Sequence, residues 1–119
     1  MSAQAQHHAI NYIEFTTNDV ARAKAFYAGV FAWNFQDWGP DYISFDAASA
    51  GMNGGFSKGE PSASRGVSLI VLYSADLKAT EEAVVAAGGA IVVPTFEFPG
   101  GRRFHFSDGC GNVLAVWSE

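Results

Sequence analysis

Two stretches of this chain repeat one another at an offset of 57 residues, and that offset limits the possible folds more than any other feature. Residues 11–15 (NYIEF) read as a strand, followed by the polar turn TTND and the run VARAKAFYAGVFAW. Residues 68–73 (SLIVLY) read the same way, followed by SAD and LKATEEAVVAAGGAIVV. With Asp19 set on Asp76, the positions Val20, Ala23, Phe26, Tyr27 and Val30 fall on Leu77, Thr80, Ala83, Val84 and Ala87. That spacing draws one stripe along a helix. Each aspartate precedes its stripe, where a carboxylate caps free N–H groups and complements the helix dipole.

After each helix come strand-like runs separated by turn residues. They are 33–37, 42–46 and 52–56 in the first half, and 90–94, 103–107 and 113–117 in the second. Gly39-Pro40, Ala50-Gly51, Pro99-Gly100-Gly101 and residues 109–112 supply the breaks. Each half therefore reads β-α-β-β-β, and the class is α+β: two tandem modules forming a curved mixed sheet around a cavity. The expected organisation is a single domain over residues 1–119, with module one at about 8–59 and module two at about 66–118. Residues 57–65, rich in Ser, Gly and Pro, read as the linker.

Composition closes off several function classes. Apolar residues make up 49% of the chain, with ten Phe, four Tyr and three Trp, which is ample for a packed core. Seven Lys and Arg against twelve Asp and Glu leave a net charge of −5 with no basic run, which argues against a nucleic-acid partner. No run approaches the length of a membrane span, and MSAQAQHH has neither the basic nor the apolar region of a signal peptide. With one cysteine, Cys110, the chain has no internal disulfide, and the expected location is the cytoplasm.

Strand alternation sorts side chains into two faces. Ile13 and Phe15, Phe104 and Phe106, and Leu114 and Val116 should pack on the helices. Tyr12, Glu14, His105, Trp117 and Tyr73 are left on the opposite face, mixed aromatic and polar, as small-molecule sites are. Glu14 and His105 are the candidate catalytic pair, with Glu14 as base and His105 as acid. Tyr12, Trp33, Phe56, Tyr73 and Trp117 are the candidate ligand-binding residues.

The run from the first strand through Asp19 to Phe26-Tyr27 and Val30-Phe31-Ala32-Trp33 resembles the first module of the vicinal-oxygen-chelate superfamily. That superfamily includes glyoxalase I, bleomycin-resistance proteins, fosfomycin-resistance enzymes and extradiol dioxygenases. Ala86-Ala87-Gly88-Gly89, Phe106-Ser107-Asp108 and Gly111-Asn112-Val113-Leu114 resemble its second module and closing turn. The likeness spans about residues 8–118 and is nearest to short proteins described as related to lactoylglutathione lyase. It implies two paired modules enclosing a site, often completed by a homodimer. Two departures stand out. Ala32 takes the place of a helix-ending glycine that Gly89 keeps in the second half, and Gly109 replaces a proline, so that Cys110 falls in a turn as an expected exposed thiol.

The resemblance also locates the superfamily's metal ligands, one per strand. Those positions hold Tyr12, Asn53, Leu69 and Ala115 here. Leu and Ala donate nothing to a metal, so no metal and no other cofactor is expected. The implied function is metal-independent binding of a small aromatic or polar organic molecule. The alternatives are a lyase or isomerase working through Glu14 and His105, and a partner-binding subunit with a disused cavity.

Overall fold

The computed structural model describes residues 7–8, 10–59 and 69–119, so Ser68 and residues 60–65 of the linker lie outside the described residues. The chain divides into two compact units, Met1–Glu60 and Pro61–Glu119. The first contains β1 (Ile13–Thr17), α1 (Val20–Phe31), β2 (Phe35–Asp37), β3 (Tyr42–Phe45), α2 (Ala47–Ala50) and β4 (Gly54–Lys58). The second contains β5 (Val71–Tyr73), α3 (Leu77–Ala86), β6 (Ala90–Phe98), β7 (Gly101–Ser107) and β8 (Val113–Ser118). The sheets are ordered β1-β4-β3-β2 and β5-β8-β7-β6. In each, the first strand pairs in parallel with the last, and the other neighbours are antiparallel. The fold is α+β, with two mixed four-stranded sheets of one topology.

Both long helices start by the same device. The Thr17 hydroxyl accepts from the Asp19 N–H (3.1 Å), and the Asp19 carboxylate accepts from the Arg22 N–H (3.0 Å). Ser74 and Asp76 repeat this, accepting from the N–H groups of Asp76 (3.0 Å) and Ala79 (3.1 Å). Thr17 and Ser74 stand at the same 57-residue offset as the aspartates.

The helix ends show how each unit handles that position. Ala32 adopts the left-handed conformation of the glycine it replaces (φ 60°), its N–H returning to the carbonyls of Tyr27 and Ala28. For an L-residue this costs about 1 kcal/mol, which the closed turn and the packing of neighbouring Trp33 offset. In the second unit the left-handed residue is Gly88 (φ 96°), one position before Gly89.

Two strands also differ from expectation. Residues 52–53 are not strand, because the short helix α2 precedes β4. Asp46 caps it, accepting from the Ser49 N–H (2.9 Å) and hydroxyl (2.6 Å), and the Asn53 side chain accepts from the Ala47 N–H (2.8 Å). β6 runs past residue 94 to Phe98, with Pro94 inside it. Proline has no N–H for a ladder, but β6 is the edge of its sheet, and its pairing with β7 is interrupted between Ile91 and Val93 and between Val93 and Phe96.

The first unit's core is a stack of rings. Tyr27 of α1 lies 4.9 Å from Trp33 and 5.0 Å from Phe56, with Phe45 4.7 Å from Trp33 and Phe15 4.9 Å from Phe56. The second unit's core is largely aliphatic, with Leu77, Val84, Leu114 and Val116 buried beside Phe104 and Phe106. No helix among the described residues is long and apolar enough to cross a membrane.

Candidate functional site

In the first unit, strand register sets Glu14, Gly55, Ser44 and Gln36 in one row on the sheet face turned away from the ring stack, with Tyr42 on the same face. Gly55 makes room for Tyr42. A Cβ there would stand 2.7 Å from the Tyr42 ring and 2.6 Å from the Ile43 carbonyl, so only glycine lets the ring cross β4. Placed this way, the Tyr42 hydroxyl donates to Glu14 Oε1 (3.2 Å) and hydrogen-bonds the hydroxyl of Tyr12. Burial, then the hydrogen bond with Tyr12 and the Glu14 charge, push the Tyr42 pKa well above the ordinary phenol value. Tyr42 is thus a neutral donor at physiological pH.

Beside this cluster lies an open groove of about 780 Å³. Tyr12, Trp38 and Tyr42 supply its aromatic walls, and Asn11, Gln36 and Ser44 are among its polar groups. Trp38 is 58% exposed and is held by its indole N–H donating to Ser44 Oγ (2.8 Å). Among the described residues, Asp46 is the one charged residue lining the groove. Its carboxyl is held below the usual range by the Ser49 hydroxyl and N–H.

In the second unit, the row Tyr73, Trp117, Arg103 and Phe96 crosses the sheet face opposite the core, beside Val71, Ala115, His105 and Val93. Arg103 lies over the rings of Phe96 (5.2 Å) and Phe98 (5.6 Å). Tyr73 meets Trp117 edge-on at 5.1 Å and donates its hydroxyl to Glu119 (3.0 Å). Burial and, secondarily, the Arg103 charge lower the His105 pKa, which favours a neutral imidazole at pH 7.

The sequence candidates thus fall into three places. Tyr12 and Glu14 meet at Tyr42 in the first unit. Tyr73, Trp117 and His105 share one face of the second. Trp33 and Phe56 lie elsewhere: at 6% and 0% exposure they belong to the ring stack around Tyr27, on the far side of the sheet from Glu14 and Tyr42. Their alternation is core alternation, and a ring packed on every side offers no surface to a ligand. Cys110 is likewise buried and not an exposed thiol. The buried Asp108 carboxylate folds the turn by accepting from the N–H groups of Cys110 (2.7 Å) and Asn112 (3.1 Å).

The candidate residues above leave out Tyr42, Trp38 and Arg103, although Trp38 and Tyr42 belong to the aromatic set that favours small-molecule binding and Arg103 alternates onto the face of His105. Alternation in the run YISF already opposes Tyr42 and Ser44 to Ile43 and Phe45, and the Gly54-Gly55 pair signals a close approach from a neighbouring strand. Arg103 was identifiable only as a neighbour of His105, because its ring partners sit on another strand.

The residues at the superfamily's ligand positions do not fit a metal. Ala115 is buried and has no donor atom, Leu69 has none, Asn53 Oδ1 is engaged with the Ala47 N–H, and the Tyr12 hydroxyl bonds Tyr42. Among the described residues, no group of three or more His, Cys, Asp or Glu comes together to hold an ion.

Known proteins share this architecture. CFP32 of Mycobacterium tuberculosis is 25% identical over 115 residues, which is 90% of this chain but 44% of that protein, so the chain spans less than half the length of this relative. The fosfomycin resistance protein FosX of Listeria monocytogenes, solved with Mn(II) and dihydroxypropylphosphonic acid, superposes with a TM-score of 0.78 at 18% identity, covering 94% of this chain and 90% of that one. A glyoxalase-related enzyme from Fulvimarina pelagi gives a TM-score of 0.76 at 20% identity, covering 94% and 88%. The family model of the Glyoxalase/Bleomycin resistance protein/Dioxygenase superfamily matches residues 9–116, and the chain belongs to that superfamily.

Proposed function

We propose that this chain is a metal-independent small-molecule binding protein, and that the ligand lies in the groove beside Tyr12, Trp38 and Tyr42. The observation that carries this reading is the groove itself, open, walled by aromatic side chains, Tyr12, Trp38 and Tyr42 among them, and provided with neutral amides and hydroxyls. The donor-poor residues at the superfamily's metal positions support the metal-independent half. Such a site suits a planar polar compound that stacks on Trp38 and accepts hydrogen bonds from side-chain amides. In this reading the chain works as a cytoplasmic homodimer, whose mass light scattering checks.

Titration of chelator-treated protein with a panel of aromatic amides and phenols, read by Trp fluorescence, tests it. Saturable quenching is expected, about tenfold weaker in Tyr42→Phe with little change in Tm. Binding that appears only after a divalent metal is restored overturns the proposal.

A second reading, a lyase or isomerase with His105 moving the proton, draws on one observation: His105 Nε2 is buried without a hydrogen-bond partner among the described residues. The direction of the His105 pKa shift suits a proton acceptor better than the acid expected from sequence.

A further inference from the structure

Two buried side-chain nitrogens, Arg103 Nε and His105 Nε2, have no hydrogen-bond partner among the described residues, and both stand on the same face of β7. Buried N–H groups are rarely left unpaired in folded proteins, because they lose water and gain nothing in return. The two residues sit two apart on one strand, so their side chains leave it roughly 7 Å apart on one side. No carboxylate among the described residues forms an ion pair with Arg103; its guanidinium is instead covered by the rings of Phe96 and Phe98.

We propose that this face of the second unit binds a small aromatic carboxylate, its oxygens taken by Arg103 and His105 and its ring lying against Trp117 and Tyr73. The charge fits: one guanidinium beside a neutral imidazole carries a single positive charge, which a monoanion balances. Imidazole in the tautomer protonated at Nε2 donates to the same oxyanion. The walls fit as well. Across the neighbouring strands His105 is paired with Ala115 and Val93, neither of which has a polar side-chain atom to engage its ring. Around it stand Phe96 at 5.8 Å from His105, and Phe98 and Tyr73 at 6.3 and 5.1 Å from Trp117, enough ring surface for an aromatic body. This site lies wholly in the second unit and goes beyond the groove reading, so either can fail without the other.

The site carries its own reporter. Of the described residues facing His105, only Arg103 is charged. Val93 and Phe96 on β6 and Ala115 and Trp117 on β8 do not titrate, and beyond Trp117 the Tyr73 hydroxyl is bound to Glu119. A bound carboxylate opposes the Arg103 charge and so must raise the His105 pKa.

Titration of the full chain with benzoate, followed by NMR of the His105 ring and the Trp117 indole, tests the assignment. Saturable shifts at both residues are expected, with the His105 pKa higher in the complex. Benzamide, which keeps the ring and loses the charge, should bind about tenfold more weakly, as should inorganic phosphate, which keeps charge and loses the ring. Arg103→Lys, which keeps the charge and loses Nε, should weaken benzoate by at least about tenfold. The comparisons on the unmodified protein hold whether or not that variant folds. Equal binding of benzamide and benzoate, or a His105 titration unmoved by benzoate, overturns the proposal, and phosphate binding as tightly as benzoate overturns its aromatic half.

Discussion

The two units share strand order, helix placement and capping device, yet they divide their aromatic residues differently between core and open face. In the first, the rings of Phe15, Tyr27, Trp33, Phe45 and Phe56 fill the core, and the opposite face sets Tyr12, Trp38 and Tyr42 among hydroxyls and amides. In the second, aliphatic side chains fill much of the core, and Tyr73, Phe96, Phe98 and Trp117 line the opposite face around Arg103. Topology here follows from turn residues and caps that recur at a fixed offset. The chemistry of each face is set separately, because either side of a pleated sheet can change while the ladder stays in place.

Core truncation tests this contrast most strongly. Phe56→Ala should lose about 3–5 kcal/mol of stability in chemical denaturation, since Phe56 touches rings on all sides, whereas Leu114→Ala in the second core should lose about 2–3 kcal/mol. Equal losses would erase the difference between the cores. Next is a feature the first unit lacks: Gly51 stands at the offset equivalent of Asp108. Asp108→Ala removes the carboxylate that accepts from the Cys110 and Asn112 N–H groups and should cost about 2–3 kcal/mol, with Asp108→Asn milder.

The helix ends sharpen the comparison further. Gly88→Ala should destabilise by about 1–2 kcal/mol, while Ala32→Gly should stabilise by about 0.5–1 kcal/mol, because both positions are left-handed and only one holds the residue suited to it. Differential scanning calorimetry that moves both variants the same way would contradict this. The smallest effect is on pH dependence. Burial holds the folded-state pKa of His105 below the ordinary imidazole value, so the unfolded chain takes up its proton first as pH falls. Stability is therefore full above about pH 6.5 and declines below it toward the folded pKa. Urea denaturation across that window should show a slope that His105→Asn flattens.

The repeat, both caps and the helix-facing set Ile13, Phe15, Phe104, Phe106, Leu114 and Val116 were legible from sequence, because periodicity and capping are local. Helix α2 was not, since Asp46-Ala47-Ala48-Ser49 also reads as a turn, and the Asn53 side chain that closes onto Ala47 comes from beyond that run. The end of β6 was hidden by Pro94, which marks a break unless the strand is known to lie at an edge. Of the site, Tyr12 and Glu14 could be placed on their face, but their meeting at Tyr42 depends on β4 lying between β1 and β3, a non-local fact. Trp33 and Phe56 show the limit from the other side, since an aromatic residue looks the same in sequence whether it packs or binds.

The glycine at position 55 has a consequence for how such a protein diversifies. It does not line the groove, but Tyr42 does, and the absent side chain at Gly55 sets the height at which that ring rests. Adding even a methyl group there must lift or turn the ring, and with it the shape of the groove. Ligand preference can thus drift through a codon that no ligand touches, and selection on the groove reaches a residue beneath it.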